Sequence, residues 1–182
     1  MSGTMDTIDS FKGKKTLIVG DINTGKTAWT VKILQRCLSA GWGLHITVID
    51  LAPDGLGGVG GKMKMPELEG LQYFTGPIVA PRMTATDADQ AQLLAQANAR
   101  AIDRLFAQFD AHPSKILFVN DASLYLQAGV MTRFQAVLEK AETVVVNAYF
   151  GNSFPDSALT RREKQMVLKL IQFCDRIITT SK

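Results

Sequence analysis

The sequence predicts a three-layer α/β domain, with a central, mostly parallel sheet of about five strands and helices on both faces. Short apolar runs alternate along the chain with longer segments of helical periodicity, which is the pattern of a covered parallel sheet. Glycine-rich or acidic turns follow several of the apolar runs, at the expected carboxyl edge of that sheet. With 182 residues, the chain is predicted to form a single domain over 1–182.

The individual elements follow from periodicity and from start and stop signals. The first strand is predicted over Lys15–Gly20, and the amphipathic helix after it ends at Gly41. Thr160 and Glu163 match a capping box that opens the last helix. Trp29, Trp42 and Tyr125 are expected to pack against the sheet. The remaining predictions are a flexible segment over 1–13, strands over 44–50, 115–121, 143–149 and 175–180, helices over about 86–110 and 124–141, and a mostly irregular, glycine-rich region over 55–85.

Composition excludes several classes of function. Lys and Arg number 20 against 17 Asp and Glu, a net charge of +3 that does not indicate a nucleic-acid partner. No apolar run approaches 20 residues, so we predict no membrane span and a cytoplasmic protein. Cys37 and Cys174 lie on apolar helical stripes, where reduced thiols are expected.

A glycine-rich motif directly follows the first strand. Gly20, Gly25, Lys26 and Thr27 have the spacing G-x-x-x-x-G-K-[ST] of a phosphate-binding loop. Backbone N–H groups of such a loop bind phosphate together with the positive end of the next helix. Lys26 is predicted to reach the β- and γ-phosphates of ATP or GTP in a catalytic role, and Thr27 to complete the shell of Mg²⁺. The predicted nucleotide-binding residues are Gly20, Asp21, Ile22, Asn23, Thr24, Gly25, Lys26, Thr27 and Ala28.

Acidic residues that end two predicted strands are candidates for the metal. Asp121 follows the apolar run 116–119 and suits a Walker B carboxylate, which holds Mg²⁺ or its waters and takes part in catalysis. Asp50 ends an earlier strand in the same way and competes for that role. Asp54 begins a D-x-x-G match that ends at Gly57, which is compatible with a mobile switch. Asn120 and Ser123, which lie close to Asp121 in the sequence, could support the metal ligands from behind or be simple turn residues, and the second interpretation is preferred.

The chain resembles the P-loop NTPase superfamily in the order of its predicted elements. That order is a strand, the phosphate-binding loop, a helix, a strand ending in Asp50, a long helix and a strand ending in Asp121. Within it the chain is most similar to small NTPases of metal-centre and cofactor maturation, such as the molybdopterin guanine dinucleotide accessory protein, dethiobiotin synthetase and the hydrogenase nickel-insertion GTPase. The resemblance implies a P-loop NTPase fold that binds Mg²⁺ with ATP or GTP. Ala122 replaces the glutamate that AAA and RecA-like ATPases carry after the Walker B aspartate, which argues against those motor classes.

Three functions remain open at this stage. The first is a Mg²⁺-dependent nucleoside triphosphatase that acts as a slow switch with a protein partner. The second is a small-molecule kinase or ATP-dependent ligase-like enzyme, which a clustered acceptor site with Arg82 and Lys62 would favour. The third is a nucleotide-binding adaptor with negligible turnover. Arg82 is also a candidate arginine finger, and Lys62 and Lys64 are candidates to close over phosphates, although a solvated loop charge is the preferred interpretation of all three.

Overall fold

The computed structural model describes residues 8–54, 61–64 and 70–182 of the chain. In this part of the chain, six strands form one sheet in which every pairing is parallel. The strands are β1 (Lys15–Gly20), β2 (Ile46–Asp50), β3 (Gln72–Thr75), β4 (Ile116–Asn120), β5 (Thr143–Tyr149) and β6 (Arg176–Thr180). The helices are α1 (Lys26–Ser39), α2 (Pro81–Thr84), α3 (Ala88–Ala111), α4 (Ser123–Leu126), α5 (Met131–Leu138) and α6 (Ala158–Phe173).

The strand order is β3-β2-β4-β5-β1-β6, so β5 lies between β1 and β4. The α/β class is therefore confirmed, and all five predicted strands are present. The additional edge strand β3 falls within the region that the sequence predicted to be mostly irregular. Its four residues are exposed or half-buried and lack the continuous apolar run that identifies the inner strands.

The core is divided between the two faces of the sheet, because successive strand residues point to opposite sides. Leu17 and Val19 of β1 face one layer with α3, α5 and α6, and Ile18 faces the other layer with α1. Phe106, Tyr125 and Phe134 form a buried aromatic group in the first layer, with ring centroids 4.9 to 5.8 Å apart. Burial on both faces fixes the register of β1 and hence the position of the loop that follows it.

Two helices differ from the prediction. The helix predicted over 124–141 is divided into α4 and α5 near Gly129, where a Cβ atom would lie 2.5 Å from the Tyr125 ring. The last helix begins earlier than predicted, because Ser157 is the N-cap and accepts a hydrogen bond from the Thr160 backbone N–H at 3.1 Å. The predicted capping box is therefore wrong. Glu163 instead lies inside α6 and is 2% exposed.

The remaining predictions concern the N-terminus, the tryptophans and the glycine run. Ile8–Ser10 form a 3₁₀ turn, and Phe11 is 2% exposed beneath the Arg176 guanidinium, so residues 8–13 pack against the domain. Tyr125 is buried and Trp42 packs on the second core layer, whereas Trp29 is 38% exposed. Residues 1–7, and the D-x-x-G match that ends at Gly57, lie outside the described residues. Within the described ranges, every helix is too short or too polar to span a bilayer.

Candidate functional site

The loop between β1 and α1 needs glycine at two positions for different reasons. Gly25 has φ +85°, in the left-handed region that residues with a Cβ atom rarely adopt. Gly20 packs against β6, where a Cβ atom would lie 2.3 Å from Thr180 Oγ1 and 2.7 Å from its carbonyl oxygen. Asn23 also has a positive φ, 56°. The backbone therefore follows a tight path into the N-terminus of α1 that few other sequences permit.

The loop is also fixed by its own polar groups. Thr24 Oγ1 donates to the Asp21 carbonyl oxygen at 2.9 Å and lies 2.7 Å from Thr180 Oγ1. The Asp21 carboxylate accepts hydrogen bonds from the backbone N–H groups of Ile22 at 2.7 Å and Asn152 at 3.2 Å. A further hydrogen bond from the Ser153 side chain is the main cause of its lowered pKa. The Asp21 side chain thus connects the loop to the chain after β5.

A cavity of about 490 Å³ opens beside this loop. Six of the nine predicted nucleotide-binding residues line it, and Gly20, Asp21 and Thr24 line an adjoining depression instead. The six are Ile22, Asn23, Gly25, Lys26, Thr27 and Ala28.

Lys26 is the first residue of α1 and belongs to this cavity. Its Nζ donates to the Asp21 carbonyl oxygen, so the ammonium group folds back over its own loop. Burial lowers the pKa of Lys26, and the carboxylates of Asp121 and Asp21 oppose this shift. The cavity therefore holds an ammonium group with little water around it, which strengthens its attraction for an anion.

Asp121 directly follows β4 and lines the same cavity. Its φ is +58°, and its backbone N–H donates to Asn147 Oδ1 at 2.9 Å. Among the described residues other than glycine, only Asn23 and Asp121 have a positive φ, and both are on this cavity. Burial raises the pKa of Asp121 to about 6, and the positive charges of Lys26 and Arg82 oppose the shift. A strained backbone thus holds a carboxyl group of nearly neutral pKa between two cations.

Asn120, the last residue of β4, contacts the loop directly. Thr27 Oγ1 donates to Asn120 Oδ1 at 3.3 Å, and Asn147 Nδ2 donates to the same oxygen at 2.7 Å. Asn120 Nδ2 donates to Asp50 Oδ1 at 2.8 Å. The interpretation of Asn120 as a turn residue is therefore wrong. The sequence signal for this role was its place at the end of an apolar strand, next to the acidic residue that the sequence predicts as the metal ligand.

Asp50 has its carboxylate oxygens occupied by the protein. Oδ1 accepts from the Ala52 backbone N–H at 3.1 Å and from Asn120, and Oδ2 accepts from the Met63 backbone N–H at 2.6 Å and from Tyr73 Oη at 2.9 Å. The side chain is 0% exposed. These four donors tie β2, β3 and β4 to the chain after β2. Asp50 thus differs from Asp121, although both follow apolar strands.

Arg82, on α2, belongs to the part of the cavity wall that residues outside the loop form. Its Nη2 donates to both oxygens of Glu163, at 3.0 and 2.8 Å, and Gln127 Nε2 donates to Glu163 Oε2 at 2.7 Å. The guanidinium group packs 4.0 Å from the centroid of the Phe154 ring and 5.2 Å from that of Tyr149. The preferred interpretation of Arg82 as a solvated charge is wrong, because its side chain is 12% exposed.

The two lysines predicted to close over phosphates lie in different surroundings. Lys62 lines the cavity and pairs with Asp54 at 2.8 Å, whereas Lys64 is exposed. Within the described residues, no three His, Cys, Asp or Glu side chains gather as a metal site of their own. A divalent cation here would therefore depend on Thr27, one carboxylate and oxygens from the ligand and water, which is how Mg²⁺ is commonly bound.

Comparison with solved structures relates the fold to a known protein. The flagellar accessory protein FlaH from Methanocaldococcus jannaschii aligns with 98% of this chain and 78% of its own, with a TM-score of 0.54 and 13% sequence identity. The likeness shows that the two proteins share a three-layer α/β fold. Protein-family models and curated protein sequences give no match.

Proposed function

We propose that this chain binds ATP or GTP with Mg²⁺ at residues 20–28 and catalyses attack on the terminal phosphoryl group, as a nucleoside triphosphatase. The observation that carries the proposal is the convergence of a strained glycine loop, Lys26, Thr27 and Asp121 on one cavity. A P-loop ATPase fold supports nucleotide binding in general terms. The proposal includes both ATP and GTP, since the residues that begin at Asn147 do not match the N-K-x-D signature for guanine.

The residues of the site fit the chemistry of a nucleotide and its metal ion. Backbone N–H groups of the loop and the N-terminus of α1 would bind the phosphates, and Lys26 would exchange its contact with the Asp21 carbonyl for phosphate oxygens. Thr27 and Asp121 offer the hard oxygen ligands that Mg²⁺ prefers. When bound, the metal neutralises charge on the phosphate oxygens. Asp50 is the weaker candidate for the metal, because protein donors already occupy its carboxylate.

Asp121 is also suited to accept a proton when it holds the waters of the metal ion and not the metal ion itself. In hydrolysis the oxygen of water forms a bond to the γ-phosphorus. The bond between the γ-phosphorus and the bridging oxygen breaks, and the nucleoside diphosphate leaves with that oxygen. The proton released from the attacking oxygen passes to the Asp121 carboxylate. Its pKa of about 6 makes it a stronger base than an ordinary aspartate while leaving it ionised at neutral pH. Lys26 stabilises the charge that develops on the transferred group.

A second candidate function is phosphoryl transfer to a small molecule. Arg82 and Lys62, which the sequence proposed as parts of an acceptor site, both line the cavity that holds Lys26 and Asp121. An acceptor there would have its hydroxyl or amino group near the same base. Hydrolysis and transfer would then differ only in which nucleophile occupies the cavity.

The test is titration calorimetry of the purified protein with non-hydrolysable ATP and GTP analogues, each with and without Mg²⁺, followed by a phosphate-release assay. Magnesium-dependent binding of one analogue, with release of phosphate from the parent nucleotide, is the expected result. Binding without phosphate release would favour the kinase or the non-hydrolysing adaptor. Failure of both analogues to bind would overturn the proposal.

A further inference from the structure

The end of the cavity around Arg82 contains polar atoms that the protein leaves without partners. Arg82 Nη1 and Gln127 Oε1 are buried, and neither has a hydrogen-bond partner among the described residues. Gln127 as a whole is 1% exposed. Both residues line the cavity, and both donate to Glu163 Oε2, Arg82 through Nη2 and Gln127 through Nε2. One unused donor and one unused acceptor therefore lie on neighbouring groups.

The fold does not need this polar cluster for stability. An unpaired buried donor or acceptor costs about 1–3 kcal/mol, and a buried ion pair is often no better than apolar residues of the same volume. The surroundings are apolar: Phe154 and Tyr149 pack against the guanidinium group, and Leu124 and Met83 line the adjacent wall. A polar cluster retained at that cost, on the wall of a cavity, indicates that a ligand completes its hydrogen bonds.

The balance of charge limits what that ligand can be. Three cations line the cavity, and each has an acidic counterpart: Lys26 with Asp121, Lys62 with Asp54, and Arg82 with Glu163. A nucleoside triphosphate would already add negative charge at the loop. A second anion would find no unpaired positive charge and would be repelled by the phosphates. A neutral ligand avoids that repulsion.

We propose that this end of the cavity binds the acceptor of phosphoryl transfer, a small neutral molecule with an amide or lactam group. Its carbonyl oxygen would accept from Arg82 Nη1, and its N–H would donate to Gln127 Oε1, which satisfies both unpartnered atoms. This inference rests on the proposed nucleotide site and on phosphoryl transfer, the second candidate function, because Asp121 lines the same cavity as Arg82 and Gln127. The oxygen or nitrogen of the acceptor's hydroxyl or amino group would form a bond to the γ-phosphorus, the bond from the γ-phosphorus to the bridging oxygen would break, and the nucleoside diphosphate would leave. The proton of the acceptor would pass to the Asp121 carboxylate. Solvent does not reach Arg82 Nη1 and Gln127 Oε1 here, so binding requires their side chains to rotate towards the cavity.

The experiment uses two matched pairs of probes, nicotinamide with nicotinate and benzamide with benzoate. Each is titrated by ligand-observed NMR into the full chain saturated with a Mg²⁺–nucleotide analogue. With a binding free energy per atom well below the ceiling for very small ligands, probes of this size are expected to have roughly millimolar dissociation constants. Saturable binding of at least one amide, at least 10-fold tighter than its carboxylate, is the expected result. Equal or tighter binding of the carboxylates, or no binding of either amide, overturns the inference.

Variants locate the binding. Gln127→Leu removes the acceptor, and the double change Arg82→Met with Glu163→Met removes the donor without leaving an unpaired buried charge. Each is expected to weaken amide binding at least 10-fold. Arg133→Met is the matched control, since Arg133 is also stacked on an aromatic ring and paired with a carboxylate, Asp110, but does not line the cavity. Unchanged amide binding in both cavity variants would overturn the inference.

Nucleotide affinity, measured in the same samples, separates the two proposals. If the analogue binds and the amides do not, the acceptor site fails and the nucleotide site stands. If the analogue does not bind, the proposed function fails by itself. Amide binding seen only in the presence of nucleotide would support both.

Discussion

The two ends of the cavity are built in different ways. The loop end comes from consecutive residues, 20–28, and presents backbone groups whose positions depend on Gly20 and Gly25. The far end is made of side chains from α2, α4, β5 and α6 that meet only in the folded protein, with Arg82 and Glu163 at its centre. Under the proposed function, the loop end would bind phosphate through backbone groups whatever the rest of the ligand, whereas the side chains of the far end would discriminate between ligands.

The largest expected effect falls on the loop end. Lys26→Ala is expected to weaken binding of the nucleotide analogue at least 100-fold, about 3 kcal/mol, because it removes the ammonium group of the phosphate-binding loop. The fold is expected to survive, since the one hydrogen bond of Lys26 Nζ within the described residues goes to the Asp21 carbonyl oxygen of its own loop. Lys62→Ala is the control within the same cavity, and calorimetry should show a change of a few-fold. A folded Lys26→Ala protein with unchanged affinity would remove the distinction between the two ends.

The next prediction compares two acids that sequence alone ranked side by side. Asp50→Asn is expected to lower the free energy of unfolding by about 3 kcal/mol, because an amide in place of the carboxylate turns an N–H group towards the backbone N–H of Ala52 or of Met63. Asp121→Asn should cost far less, since its side chain lines a cavity. Denaturant titration of both variants measures the difference. Equal losses would mean that Asp121, like Asp50, is mainly structural.

These two acids also show how far the sequence could go. The motif, its strand and its helix follow from neighbouring residues, so the fold and the loop end were predicted with correct bounds for β1 and β5. The hydrogen bonds that occupy the Asp50 carboxylate come from Asn120, Met63 and Tyr73, which lie up to 70 positions away in the sequence. Local pattern contains no such information.

The far end could not be predicted for the same reason. Arg82 resembled a loop charge because it follows Pro81 shortly before a polar loop, and Glu163 resembled the end of a capping box. Their pairing spans 81 positions. Asn120 is a different case, because its position was predictable from sequence. It ends an apolar strand next to the predicted metal acid, but an amide is a less common metal ligand than a carboxylate.

A third prediction tests the far end through pH. Burial raises the pKa of Glu163 to about 7, and Arg82 opposes the shift. The folded state therefore binds the Glu163 proton more tightly than the unfolded state, so this contribution to stability is complete at low pH and is lost as the pH rises through about 7. We expect the free energy of unfolding to fall by about 2 kcal/mol between pH 5 and 8.

Variants assign that pH dependence. Glu163→Gln should remove most of it, and Asp110→Asn is the control of opposite sign. Burial raises the pKa of Asp110, but hydrogen bonds from Lys140 and Arg133 outweigh it and leave the pKa below its ordinary value, so its contribution changes only in more acidic solution. Burial also raises the pKa of Asp121, to about 6, which gives a slope of the same sign below about pH 7, so the comparison is repeated in the Asp121→Asn background. If Glu163→Gln leaves the slope between pH 7 and 8 unchanged in that background, Arg82 keeps Glu163 ionised throughout.

The smallest expected effect lies between the two ends, at Asp121. Asp121→Asn is expected to weaken Mg²⁺-dependent binding of the nucleotide analogue about 10-fold while affinity without Mg²⁺ changes little, because the amide keeps its shape and loses its negative charge. Turnover should fall further, since an amide cannot accept a proton. If affinity falls equally with and without Mg²⁺, Asp121 does not bind the metal and instead supports phosphate binding through its interaction with Lys26. The Asp121 carboxylate would then act with the loop end alone, and a ligand at the far end would need a different group to accept its proton during attack on the γ-phosphorus.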